Sequence, residues 1–293
     1  MKRKMTSVMM MLVLTAGLAG CAGCAEMTPD ETAADKKTED SKNKEKEQVE
    51  LNVFAAASMT ETLTEIGELY EKEHPQVKLS FNFDSSGTLK TQIQEGAACD
   101  LFISAGQKQM DQLDIKADPE VNTEELDFVK EDSRINILEN KVTLCVSEGS
   151  ETGIKTFDDL AEALKNGNIL MAMGNQDVPV GQYTQKILEF YGLKEEELAG
   201  AGKISYGSNV KEVTTQISES SVDCGIIYCT DAYSAGLTVS DYAAADMCGQ
   251  VIYPASVLKT SEHQEDAQAF LDYLQTDSCM EIFQKVGFSP IEQ

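Results

Sequence analysis

Tryptophan is absent from the 293 residues, and the side chains most used against anions and metals are nearly so: Arg3 and Arg134 are the only arginines, His74 and His263 the only histidines. Two arginines leave almost nothing from which to build a bidentate guanidinium clamp on phosphate or carboxylate. Two histidines far apart in sequence argue against a histidine-rich metal centre or a catalytic histidine pair. Positive charge is scarce throughout, with 24 Lys+Arg against 50 Asp+Glu and a formal net charge of −26. A nucleic-acid binder carries the opposite footprint, which argues against that class. The apolar share of 42% is still enough to close a core, and it excludes a wholly disordered or collagen-like chain.

The N-terminus has its own logic. Lys2, Arg3 and Lys4 precede an apolar run from Val8 to Leu18, which has the length of a secretory core and is too short to span a bilayer stably. It ends in Leu18-Ala19-Gly20-Cys21, which resembles a bacterial lipobox. The expectation is a lipoprotein signal peptide over 1–20 and a lipid on Cys21. Residues 22–48 carry eight acids and five lysines with almost nothing apolar. Such a stretch cannot offset its ordering entropy and reads as a flexible tether over 21–48, holding the body at a membrane surface.

Beyond the tether, short apolar runs alternate with helical patterns, which points to α/β units. Strands are expected at 51–54, 77–83 and 101–103, with helices at 59–73 and 88–94. The stretch 118–140 reads as acidic and irregular. A second series begins at 141–147 and continues with strands at 169–173, 203–206 and 225–228, among helices near 156–164, 180–191 and 210–218. A strand at 251–258 and helices at 263–275 and 277–286 are left over once the second series is complete. The economical architecture is therefore two lobes: 49–138 and 249–293 form lobe I, and 139–248 forms lobe II. Hinges are expected near 139–147 and 249–258, with a ligand cleft between the lobes. The six body cysteines (99, 145, 224, 229, 248 and 279) contain no CxxC pair. The strand-like settings of Cys145 and Cys224 predict buried free thiols acting as small hydrophobes.

Ligands of open α/β sheets bind outside the C-terminal ends of the strands. Polar, helix-opening sequences recur there: Ala57-Ser58-Met59-Thr60-Glu61, Asp84-Ser85-Ser86-Gly87, Val178-Pro179-Val180 and Gly207-Ser208-Asn209-Val210, with Tyr228 ending another strand. Ser58 and Glu61 have capping-box spacing, so Ser58 is expected to open a helix. Helix N-termini present unpaired N–H groups and partial positive charge, and several together make an anion site that needs no charged side chain. In so acidic a body, long-range fields repel an anion, so local donors must supply the affinity.

These segments resemble the molybdate-binding solute-binding proteins of ABC transporters. The carriers are Val53-Phe54-Ala55-Ala56-Ala57-Ser58, Ser85-Ser86-Gly87-Thr88-Leu89, Gly96-Ala97-Ala98-Cys99-Asp100-Leu101-Phe102-Ile103-Ser104-Ala105, Val178-Pro179-Val180-Gly181 and Gly225-Ile226-Ile227-Tyr228, closing with Phe283 to Phe288. They run in the family's order over about residues 49–290. The resemblance implies a two-lobed type II periplasmic-binding-protein fold, each lobe a mixed, mostly parallel sheet flanked by helices. It also implies a molybdate or tungstate ligand, no cofactor, no catalysis, and a monomer that delivers to an ABC permease. Its oxyanion ligands fall on Ser58 and Ser86 (hydroxyl and N–H), the N–H of Val180 and of Val210, and the Tyr228 hydroxyl. Cys99 and Cys229 depart from the family's usual residues at their positions. Within the class, sulfate or another tetrahedral oxyanion is the alternative. A serine hydrolase built on Ser58 or Ser86 is a distant one, since neither GxSxG nor SxxK occurs.

Overall fold

A computed structural model describes residues 48–291. The leader, Cys21 and nearly all of the tether lie outside the described residues.

The first sheet grows around β1 (Val49–Ala56), whose inner residues are buried on both faces. It pairs in parallel with β2 (Val77–Asp84) and with β3 (Leu101–Ile103). Two helices connect them. In α1 (Thr60–Glu73), Leu63, Ile66 and Tyr70 fall on one buried face by their spacing. In α2 (Ser86–Gln94), Leu89 and Ile93 do the same. A short α3 (Gln107–Asp111) follows β3, and the chain then forms β4 (Ile135–Asn140). This strand falls where the sequence reads as irregular. Its acidic approach and short apolar core give little local signal, and it is held by antiparallel pairing to strands from the far end of the chain.

One residue later the chain enters a second sheet as β5 (Val142–Val146). Next come α4 (Phe157–Asn166), opened by a Thr156–Asp159 capping box, and β6 (Met171–Gly174). They are followed by α5 (Pro179–Phe190), α6 (Glu195–Gly200), β7 (Ile204–Gly207) and α7 (Val210–Ser218). The lobe finishes with β8 (Cys224–Tyr228), α8 (Cys229–Ser234), β9 (Val239–Tyr242) and α9 (Ala245–Cys248). The chain returns to the first sheet through β10 (Val251–Val257), adds α10 (Gln264–Tyr273) and α11 (Asp277–Val286), and ends in β11 (Ser289–Pro290).

The strand orders are β11-β4-β10-β3-β1-β2 and β7-β6-β8-β5-β9. Both sheets are mixed. Parallel pairing holds for β2-β1-β3 and for β7-β6-β8, where helices connect successive strands. The antiparallel pairs all involve strands at or beyond the crossings. By sheet membership the outward crossing lies at Lys141, between β4 and β5, two residues past the expected 139. The return lies between β9 and β10. The outgoing and returning strands therefore run side by side in each sheet. All six body cysteines are free and buried, as expected for Cys145 and Cys224 from their strand settings; the other four lie outside strands.

Candidate anion-binding site

Four short segments and one strand end converge where the two sheets face each other. Ser85 caps α2 by accepting the N–H of Thr88 at 3.1 Å, and Asn209 caps α7 by accepting the N–H of Glu212 at 3.1 Å. Each cap satisfies the third N–H of its helix and leaves the first, on Ser86 and on Val210, without an intrahelical carbonyl. In α5 the first helical residue is Pro179, which has no N–H, so Val180 supplies that helix's first donor.

Ser58 behaves differently from expectation. It does not cap α1: it lies in a 3-10 turn, Ala57–Met59, the helix begins at Thr60, and no side chain caps it. The Ser58 hydroxyl instead meets the Tyr253 hydroxyl at 2.8 Å, a partner 195 positions away. That buried contact outweighs a local cap in which Glu61 would have to take part, because Glu61 is engaged by Lys211.

Ser58, Ser86, Val180, Val210 and Tyr228 all line one small cavity of about 10 Å³. All five are buried. That space excludes a drug-sized ligand, whose pockets run to roughly 300–1,000 Å³, and leaves room only for a guest a few atoms across. A larger crevice of about 550 Å³ opens beside it between α3 and α5, lined by glutamines, Lys108 and Lys186, but no set of helix N-termini converges there. Lobe I contributes Ser58 and Ser86, and lobe II contributes Val180, Val210 and Tyr228. The lobes meet tightly around the cavity. A methyl group on Gly87 in α2 would lie 2.2 Å from the carbonyl oxygen of Asp177, just before α5.

The polarity of the lining is one-sided. Ser86 Oγ accepts the N–H of Ala105 at 2.9 Å, so its own proton is free for the cavity. Burial pushes the Tyr228 hydroxyl well above the ordinary tyrosine range, so it stays a donor; its contact with the Ala105 carbonyl is long, at 3.5 Å. No lysine or arginine lines the cavity, and one acid, Asp84, does. Asp84 Oδ1 accepts the N–H of Ser85 at 2.7 Å and the amide of Asn209 at 3.3 Å, which ties the two lobes.

Nearby, Lys211 Nζ reaches across the cleft to Glu61 at 2.8 Å and approaches Asp231 Oδ1 at 3.3 Å. Asp231 is completely buried, and neither carboxylate oxygen has a hydrogen-bonded partner among the described residues, the ion pair lacking hydrogen-bond geometry. Burial pushes its carboxyl up to about 6, with Lys211 opposing.

The profile of the bacterial extracellular solute-binding proteins matches residues 51–289. The chain belongs to that family. It is thus a binding protein that works outside the cytoplasm, in a family defined by capture of solutes rather than by catalysis. This solute-binding protein is 33% identical over 243 residues to YvgL of Bacillus subtilis, named as an ABC transporter substrate-binding lipoprotein, covering 82% of this chain and 86% of that one. It is 30% identical over 242 residues to the molybdate-binding protein ModA of Escherichia coli, covering 82% and 88%. Its fold is that of the periplasmic molybdate-binding protein of Azotobacter vinelandii, with a TM-score of 0.69 at 20% identity over 83% of this chain and 100% of that one.

Asp84, Asn140, Asp231 and Tyr253 are residues at or behind the cavity that the sequence does not single out. Asp84 directly precedes the Ser85-Ser86 pair and carries a local signal. Asn140 and Tyr253 carry none, because their partners are distant in sequence.

Proposed function

We propose that this protein captures molybdate, and tungstate with it, between its lobes and delivers it to the permease of an ABC transporter. The observation that carries the reading is the convergence of uncharged donors from both lobes on a small cavity with no cationic side chain. The ligands are Ser58 and Ser86 through hydroxyl and N–H, Val180 and Val210 through N–H, and Tyr228 through its hydroxyl. Molybdate and tungstate are dianions with no proton at neutral pH, whereas phosphate retains one. The donors satisfy the former completely, whereas the proton of the latter opposes them and has one carboxylate in the lining, Asp84, to turn to. Charge-assisted hydrogen bonds contribute about 1.5–3 kcal/mol each. Five or more therefore reach the roughly 8 kcal/mol of a micromolar complex after ordering costs. Likeness to ModA of E. coli supports the choice of ligand.

The lobe division proposed is 49–138 with 249–293 against 139–248, closing about the paired crossing strands. We also propose that the mature chain is held at the cell membrane by a lipid on Cys21, a reading supported by the lipobox-like Leu18-Ala19-Gly20-Cys21 and by the lipoprotein YvgL. Among the described residues, no helix is long and apolar enough to cross a membrane.

Calorimetry of the full chain with molybdate, tungstate, sulfate and phosphate tests the reading. Molybdate and tungstate are expected to bind at micromolar concentration or below and to raise the melting temperature, and phosphate to do neither. Sulfate binding as tight as molybdate would reassign the cargo to a smaller oxyanion.

A further inference from the structure

We infer that Tyr253 and Asn140, neither of which lines the cavity, set the direction of the Ser58 hydroxyl and so let the site reject anions that still carry a proton. The inference rests on the oxyanion reading above and deepens it.

The chain of reasoning starts at the crossing between the lobes. The backbone N–H of Lys141 can only donate, and it lies 2.8 Å from Asn140 Oδ1, which fixes the oxygen end of that amide. The Cys229 thiol donates to the same oxygen at 3.2 Å. Asn140 Nδ2 therefore points the other way, to Thr230 Oγ1 at 3.0 Å and Tyr253 Oη at 3.1 Å. An amide nitrogen is donor only, so Tyr253 Oη accepts. Tyr253 is completely buried, and its other hydroxyl partner is Ser58 Oγ at 2.8 Å. Leaving the phenol proton unpaired in that place would forfeit its hydration with no return, so the proton goes to Ser58 Oγ. Burial also keeps the phenol protonated across the physiological range.

Ser58 Oγ is thus an acceptor on its protein side, and its own proton is turned to the cavity. Ser86 reaches the same state through the N–H of Ala105. Both serines then offer protons to the ligand. A dianion accepts both, whereas a hydrogen-bearing anion has one bare oxygen fewer to offer them, and Asp84 is the one carboxylate in the lining for its proton. Tyr253 and Asn140 are positioning residues acting through Ser58.

The test is a double-mutant cycle on the full chain, read by calorimetry with molybdate and with inorganic phosphate in competition. Tyr253→Phe is expected to weaken molybdate about tenfold, or about 1.4 kcal/mol, without weakening phosphate, so that the preference for molybdate falls by that factor. In a Ser58→Ala background, Tyr253→Phe should change molybdate affinity by less than about twofold, because its target is gone. Equal losses in both backgrounds, or an unchanged preference, would overturn the inference while leaving the oxyanion reading in place. A wild type that binds no tetrahedral oxyanion would overturn that reading and this inference together. Should Tyr253→Phe fail to fold, Asn140→Asp serves: an acceptor-only group there draws the Tyr253 proton to itself and makes Ser58 donate to the phenol. The added charge weakens both anions, so the fall in preference is the readout, and an unchanged preference counts against the inference.

Discussion

Ser58, Ser86 and Tyr228 each place one hydroxyl at the cavity, the tyrosine ring belonging to the core behind it. Removing any of them deletes a donor to a charged guest, so Ser58→Ala, Ser86→Ala and Tyr228→Phe are each expected to weaken molybdate by about tenfold to a hundredfold. The apo melting temperature should change little in Tyr228→Phe and fall in the serine variants, which leave the Tyr253 hydroxyl or the Ala105 N–H without its partner; calorimetry beside a thermal scan checks both halves. Asp231 makes the opposite kind of statement. Its carboxyl titrates at about 6 when folded against 3.8 ordinarily, so the folded chain binds that proton more tightly than the unfolded one. Stability from this group is complete below pH 4 and is lost as the pH rises through 6. Asp231→Asn should remove that part of the pH dependence between 7 and 4, which denaturation at a series of pH values measures. A variant that keeps the wild-type slope would show that Lys211 compensates the buried charge fully.

The helix N-termini do their work through where they are aimed. Local chemistry aims three of them: Ser85 and Asn209 as caps and Pro179 as a first helical residue. These were readable because cap and helix are neighbours in sequence. Ser58 has the local spacing of a cap but is not one, because its decisive partner, Tyr253, belongs to a strand that joins the sheet only when the chain returns. Strand β4 escaped notice for the same reason, its pairing coming from β10 and β11. The contact between α2 and the loop before α5 gives a test of closure. With an alanine at Gly87, the new methyl would meet the Asp177 carbonyl at 2.2 Å, and the obstructing atom is backbone. Gly87→Ala should leave each lobe folded but hold them apart. The expected signs are molybdate affinity lower by about tenfold or more and no ligand-induced compaction in solution scattering. Compaction equal to wild type would mean that the loop yields.

The body's charge sets how the anion arrives. With a formal net charge of −26, the field around the molecule repels a dianion until it is within reach of the donors. Added salt screens that field, the Debye length shrinking to about 10 Å at 0.1 M. The association rate for molybdate is therefore expected to rise with sodium chloride. This is the reverse of a site steered by lysines and arginines, and stopped-flow tyrosine fluorescence would record it. A falling rate would place an unscreened positive patch at the cleft mouth. Closure brings Lys211 of one lobe onto Glu61 of the other, so capture also joins opposite charges across the gap.

The arginine-poor composition and the helix-opening residues after the strands already point to an anion site without charged side chains, because these features act through composition or through neighbours a few positions apart. Which way each hydroxyl points was a different matter. Ser58 donates to the cavity because Tyr253, 195 positions along the chain, donates to its oxygen and is held to that role by Asn140, 82 positions along, and only folding brings these two oxygens and one nitrogen within bonding distance.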